Sequence, residues 1–273
     1  MNLWDDTLFH NEIERPSLNG ANDADVAIIG GGFTGLWSAF HLLHLDPSLK
    51  IIICEAERIG FGASGRNGGW CSALYPTTAG YDQVRPHLLQ SMEEIGSFCH
   101  HHAPEVGFVK SGTITVARNK AQLARISQST APHESYLPKG VLYSHIGMNG
   151  GLGGLYTPDC AVVHPGRLVR ALAEAVEKLG GVIYENTRIN SLAPNLIESE
   201  FGSIRTTSII KATEVFSQSP RSHAPIYSLM VATEPLKEAI WDEIGLAKRE
   251  TFSEALHLVN YGQRTIDDRL AVG

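Results

Sequence analysis

The chain has 273 residues, of which 43% are hydrophobic and 19% charged, and its formal net charge is −7. That length allows one large domain or two modest ones around a real core, and the near-average composition leaves intrinsic disorder without a cause. The acidic balance supplies no field to gather phosphate backbones, so nucleic acid is not the expected partner.

In chain order, the first stretch carries Asp5, Asp6, Glu12 and Glu14 and no apolar core segment. It reads as an N-terminal extension over 1–19 rather than as a secretory or transit signal, and a cytoplasmic address follows. Val26 to Leu45 is twenty residues without a formal charge, the length of a bilayer span. Four glycines, two histidines, flanking aspartates and a change of apolar period argue against a span. The stretch divides instead into a buried strand, Val26 to Ile29, and a helix that shows Leu36, Ala39, Phe40 and Leu43 on one face before Asp46-Pro47 stops it. Ile51 to Cys54 is a second buried run, so residues 26–55 make one strand, helix, strand crossover.

Beyond it, Leu88, Met92, Ile95 and Cys99 mark a helix, and Gly112 to Val116 alternates like a strand. Pro165 opens another helix, with Leu168, Leu172, Val176 and Leu179 as its apolar stripe, which Gly180-Gly181 ends. Strands are predicted at Val182 to Tyr184, at Leu196 to Ser199 and Ser203 to Arg205 as a hairpin, and at Ser208 to Ile210. After Ser219-Pro220 the pattern reads as a strand over Ile226 to Thr233, a helix around Lys237 to Ile244 and a strand over Leu256 to Tyr261. The alternation predicts a mixed α/β protein of two interleaved domains: one from 20–80 and 155–219, the other strand-rich and from 81–154 and 220–273. Cys54, Cys71, Cys99 and Cys160 show no CxxC spacing, so they are read as reduced thiols with neither a disulfide framework nor a zinc site.

Gly30-Gly31-Gly32-Phe33-Thr34-Gly35 matches GxGxxG between a predicted strand and a predicted helix, the context a dinucleotide-binding turn requires. Gly30 permits the tight turn, Gly32 lets backbone amides approach a pyrophosphate, and Gly35 lets the helix sit on the strand. The phosphate charge would rest on the helix N-terminus without a basic side chain. Glu55 lies twenty residues past Gly35, where a carboxylate can accept ribose hydroxyls and would repel a 2′-phosphate. A second cluster, Gly60 to Gly69, would present amides and the side chains of Ser64, Arg66 and Asn67 to phosphate oxygens or a planar ring; a plain surface loop is the other reading.

These residues carry a resemblance. DVAIIGGGFTGLWSAFHLL followed by CEAERIGFGASGRNGG is similar to the N-terminal signature of the D-amino-acid-oxidase-like FAD-dependent oxidoreductases, in the branch of the glycine, sarcosine and gamma-glutamylputrescine oxidases. VVHPGRLVRALAEAVEKLGGVIYENTRI and IIKATEVFS resemble further parts of its FAD domain, and APIYSLMVATEPL and YGQRTIDDRLAVG resemble strands of its substrate domain. The resemblance implies a Rossmann-like FAD domain and an incomplete substrate domain. It implies FAD lined by Gly30, Gly32, Thr34, Gly35, Glu55, Ser64, Arg66, Asn67, Gly68 and Gly69, with the backbone of Ile189 at the adenine. The implied reaction is oxidation of the C–N bond of a small amine or amino acid, with O2 as acceptor. Many relatives have glycine or asparagine after Ala-Thr where this chain has Glu214.

Tyr261 and Arg264 stand where the resembling family places substrate-facing groups, and Arg264 is read either as a carboxylate clamp or as one of an ordinary surface pair. No catalytic side chain is named. Adjacent imidazoles on a helix point apart, so His100, His101 and His102 are read as a solvated helix end and no metal is expected. Trp37 and Trp70 are read as packing. The family's chains continue past the point matched by Gly273, so the sequence is read as a fragment. A nucleotide-binding remnant without turnover and an NAD-linked dehydrogenase are the rival readings.

Overall fold

The computed structural model describes residues 2–8, 13–74, 81–128, 131–217, 226–257 and 259–273. The chain separates into two compact units, one from residues 1–67 and 165–227, the other from residues 68–164 and 228–273. Each unit is assembled from two separate segments, with boundaries that differ from 20–80, 155–219, 81–154 and 220–273. Residues 68–80 and 155–164 fall in the second unit, and the 1–19 extension belongs to the first. Pairing explains the shift: the strand Trp70–Ser72 bonds antiparallel to Cys160–Val162, which carries both segments out of the first sheet.

The first unit is built on a six-stranded sheet in the order Val182–Tyr184, Ile51–Cys54, Gly20–Ile29, Gly202–Lys211, Leu196–Glu198 and Ser191–Ala193. The first four run parallel and the last two return as an antiparallel meander. Ile28 and Ile53 are partners across the central pair and both are fully buried, as expected of strands covered on two faces. The helix Phe33–Leu45 buries Leu36, Ala39 and Leu43, and the helix Pro165–Lys178 buries Leu168, Leu172 and Val176. Each fully buried leucine contributes about 2 kcal/mol of transfer free energy. The predicted strand over Ser208 to Ile210 is the end of one ten-residue strand, Gly202–Lys211, that begins in the hairpin.

The second unit carries a seven-stranded sheet in the order Val231–Ala232, Leu270–Val272, Tyr261–Arg264, Thr251–Glu254, Thr113–Ala117, Gly153–Thr157 and Ser135–Pro138. Only Thr251–Glu254 and Thr113–Ala117 pair in parallel. Ile114, Val116, Leu142, Trp241 and Leu246 form its core. The helices Tyr81–His102 and Glu238–Ile244 belong to this unit.

Two strand expectations fail here. Of Ile226 to Thr233 only Val231–Ala232 pairs, and Ile226 and Leu229 are exposed. Of the strand expected over Leu256 to Tyr261 only Tyr261 lies in a strand among the described residues: Leu256 and Val259 are exposed in the connection between Thr251–Glu254 and Tyr261–Arg264, and residue 258 lies outside the described residues, as do Ser219 and Pro220. Apolar residues in an exposed connection imitate a strand when only their pattern is read. Among the described residues no helix is long and apolar enough to cross a membrane.

Candidate functional site

The first glycine turn is held by backbone against backbone. Gly30 has φ +114°, and a Cβ there would lie 2.4 Å from the carbonyl oxygen of Ala212. A Cβ on Gly35 would lie 2.1 Å from the carbonyl oxygen of Gly30, so the helix can rest on the end of its strand only without a side chain. Gly32 caps the helix with no side-chain bond to the first turn. The Phe33 amide donates to Ser64 Oγ at 2.9 Å, while the amides of Gly32 and Thr34 have no acceptor among the described residues. A thirteen-residue helix therefore presents free donors and the positive end of its dipole at this turn.

Glu55 follows the Ile51–Cys54 strand, whose register places it beside the turn. Its Oε2 accepts the Gly31 amide at 2.7 Å and its Oε1 accepts the Glu57 amide at 3.0 Å. These bonds fix the carboxylate, and each oxygen keeps a lone pair for a further donor. The backbone of Glu55 is pinned as well, with its N–H on Tyr184 O and its carbonyl accepting Thr187 N–H, both at 2.8 Å.

The second cluster folds against the first. The Gly60 amide donates to Gly31 O at 3.2 Å. Gly60 has φ +73°, and a Cβ would meet Val169 Cγ1 at 2.5 Å, so this loop lies flat on the Pro165–Lys178 helix. It is a packed element, with a short 3₁₀ turn at Ala63–Gly65. The guanidinium of Arg66 stacks over the Phe61 ring at 4.3 Å. Asn67 Nδ2 donates to the carbonyls of Ala63 and Ser64 at 3.2 and 3.0 Å. Both side chains brace their own loop.

Together the two clusters bound a cleft of about 450 Å3 in the first unit. Gly30, Gly32, Thr34, Glu55, Ser64, Asn67 and Ile189 line it. Gly35 lies beneath the turn, Arg66 does not line the cleft, and Gly68 and Gly69 belong to the second unit. There Gly68 O accepts Gln263 Nε2, and Gly69 O accepts the Val163 amide. The backbone of Ile189 has no partner among the described residues.

Cys54, Thr187, Ala212, Glu214 and Phe216 also line the cleft without having been singled out as ligand contacts. Glu214 has φ +44°, a left-handed conformation uncommon for its residue type. The Ala-Thr-Glu departure was the one signal that pointed to this edge. Burial pushes the Cys54 thiol up to about 12, so it stays protonated near neutral pH.

The residues fit an adenosine diphosphate moiety. Free amides at a helix N-terminus suit the diphosphate, and Gly32, which lines the cleft without a side chain, lets it come close. Glu55 offers lone pairs where a ribose would present hydroxyls, and the volume is in the range of cofactor sites.

Tyr261 and Arg264 share one strand of the second unit. Arg264 is bound to Asp268 at 2.7 Å and lies over the Trp241 ring at 4.6 Å, so its charge is already partnered. Tyr261 packs edge-on to Trp70 at 5.8 Å, and its hydroxyl meets Ser228 Oγ at 2.9 Å. Trp37 stacks with His41 at 5.5 Å. Among the described residues no group of His, Cys, Asp and Glu has the arrangement of a metal site, the histidines at 100–102 included.

Comparison with known proteins agrees with this geometry. The chain is 27% identical over 283 residues to gamma-glutamylputrescine oxidoreductase of Escherichia coli, covering 94% of this chain and 66% of that protein. It is 25% identical to the probable oxidoreductase OrdL of Haemophilus influenzae, covering 97% of this chain and 68% of that one. The chain thus spans about two thirds of the length of these relatives.

Among solved structures, glycine oxidase from Geobacillus kaustophilus superposes with a TM-score of 0.74 at 19% identity, over 92% of this chain and 71% of that one. L-amino acid deaminase from Proteus myxofaciens does so with a TM-score of 0.70 at 16% identity, over 96% and 60%. The family model for FAD dependent oxidoreductases, DAO, matches residues 25–273, and the chain belongs to that FAD-dependent family.

Proposed function

We propose that the cleft holds the adenosine diphosphate half of FAD and that the protein oxidises the C–N bond of an amine or amino acid. The observation that carries the first part is the pairing of an open helix N-terminus with Glu55, whose carboxylate is fixed by the Gly31 amide at the same turn. The Gly32 and Thr34 amides bind the diphosphate, Glu55 accepts ribose hydroxyls, and the backbone of Ile189 meets the adenine edge. Ser64 holds the Phe33 amide in place, and Arg66 and Asn67 keep the second loop in shape.

FAD, when bound, supplies the hydride acceptor. The substrate class is taken from relatives named for gamma-glutamylputrescine, glycine and L-amino acids. In the overall change the CH–NH unit loses two electrons and two protons, water hydrolyses the resulting imine, and O2 is reduced to hydrogen peroxide. All four cysteines are free thiols, the state a reducing compartment maintains, and on that ground we place the protein in the cytosol.

The test is the visible spectrum of the purified chain with FAD, followed by anaerobic addition of small amines and amino acids. Bound flavin that bleaches with one of them and recovers its colour in air, with peroxide formed, is the expected result. A protein that binds FAD but never bleaches supports a remnant without turnover, and one that prefers NAD overturns the cofactor reading.

A further inference from the structure

Residues 2–18 precede the stretch that the family model matches, which begins at residue 25, and their described part is fastened to the cleft's second loop at two points directly and at a third through Glu185. Trp4 is 2% exposed, and its Nε1–H donates to the carbonyl of Asn67 at 2.8 Å, at the far end of that loop. Asp5 Oδ2 pairs with Arg58 Nη2 at 2.7 Å, at the near end. Between them, Ile59 N–H donates to Glu185 Oε1 at 2.8 Å, and Glu185 is held in turn by Arg15 at 3.5 Å and by a bond from its own amide to Pro16 O at 3.1 Å.

The same segment is tied to the Pro165–Lys178 helix that supports the loop. Arg167 donates to the Thr7 carbonyl at 2.6 Å, Arg170 lies 3.7 Å from Asp5, and Arg15 forms a bidentate pair with Glu177 at 2.7 and 2.8 Å. Leu18 N–H donates to Thr187 Oγ1 at 3.0 Å, which reaches the other wall of the cleft.

We infer that residues 2–8 and 13–18 form a strap that holds the loop from Arg58 to Asn67 in its ligand-ready shape and thereby sets the affinity of the cleft. This rests on the cofactor reading above. Trp4, Asp5 and Arg15 are positioning residues: none lines the cleft, and each acts through a loop residue or its support. A loop already held in its bound conformation avoids the ordering cost on binding, so releasing it lowers affinity without removing any ligand contact.

The test uses Trp4→Phe, which keeps a buried aromatic ring and removes the bond to Asn67, with Asp5→Asn as a second variant that removes the charge opposite Arg58. Amide hydrogen exchange is followed without ligand, and FAD affinity is measured by quenching of flavin fluorescence well below the melting temperature. Trp4→Phe is expected to speed exchange about fivefold at residues 58–67 and to weaken FAD binding by about the same factor, the loss of one hydrogen bond. Asp5→Asn acts in the same direction and less.

Unchanged exchange in the loop overturns the strap. So does exchange that rises equally through the whole first unit, which would make Trp4 an ordinary core residue, and so does faster loop exchange with unaltered affinity. A wild-type chain that binds no FAD overturns the cofactor reading instead, and the ligand-free exchange then decides whether the strap holds the loop.

Discussion

The two glycine clusters that wall the cleft both close backbone on backbone, Gly35 over Gly30 O and Gly65 over Gly60 O, but they differ in how far away their further anchors lie. In the first, from Gly30 to Gly35, shape comes from atoms within six residues and one neighbouring strand: a Cβ at position 30 or 35 would strike backbone oxygen at 2.4 or 2.1 Å. In the second, from Arg58 to Asn67, a Cβ at position 65 would likewise strike Gly60 O at 2.2 Å, and partners distant in sequence add to this: Trp4 on Asn67, Asp5 on Arg58, Glu185 on Ile59 and Val169 under Gly60. A backbone-packed turn fails outright when one atom is added. A loop held also by side chains weakens step by step as those anchors are removed.

That contrast is broken or sharpened by four substitutions. Gly35→Ala is expected to have the largest effect. Its Cβ has no room against Gly30 O, and the loss is about 3 kcal/mol of stability or more, with no FAD retained; denaturant unfolding and the flavin spectrum read it. Glu55→Gln keeps size but places an amide N–H against one of the two backbone donors now bonded to the carboxylate. FAD affinity should fall by about 2 kcal/mol, roughly thirtyfold, in fluorescence titration.

Ser64→Ala removes the acceptor of the Phe33 amide, a side-chain bond joining the two clusters at the helix start. A stability loss of about 1 kcal/mol is expected by chemical denaturation. Glu214→Gly should act in the opposite direction. It relieves a left-handed φ of +44° and withdraws a carboxylate from the cleft, and the gain, reduced by the greater freedom of glycine when unfolded, is about 0.5 kcal/mol with tighter FAD binding. A gain for Glu214→Gly in the melting curve with weaker binding would show that its carboxylate serves the ligand.

How far the sequence could be read follows the same division. The crossover over residues 26–55, the glycine turn and Glu55 were all legible, because their period and spacing are local and the strand register leaves Glu55 one place to stand. The second cluster was legible as a glycine-rich loop but not in the contacts of its side chains. Nothing in the order of residues says that Arg66 would stack on Phe61, or that Asn67 would turn its amide back to Ala63 and Ser64.

The extension was least legible. Residues 1–19 read only as an N-terminal extension, and the partners of Trp4 and Asp5, 63 and 53 residues away, emerge only from the fold. In the second unit, the two readings of Arg264, a carboxylate clamp and an ordinary surface pair, came from the family's pattern and its residue type, and its pairing with Asp268 is seen only in the fold. Apolar residues at the turn near Leu256 and along Ile226 to Leu229 simulated strands because exposure leaves no trace in hydrophobic pattern alone.

The central claim is that this cleft recognises the adenosine diphosphate half of FAD through an open helix end and a fixed carboxylate. Competition calorimetry on the unmodified chain tests it most directly, with FAD, ADP, 2′-phosphorylated ADP and FMN as ligands. FAD and ADP should bind at one shared site, the 2′-phosphate should cost affinity against Glu55, and FMN should not displace ADP. FMN binding as tightly as FAD, or ADP failing to compete with FAD, would contradict it.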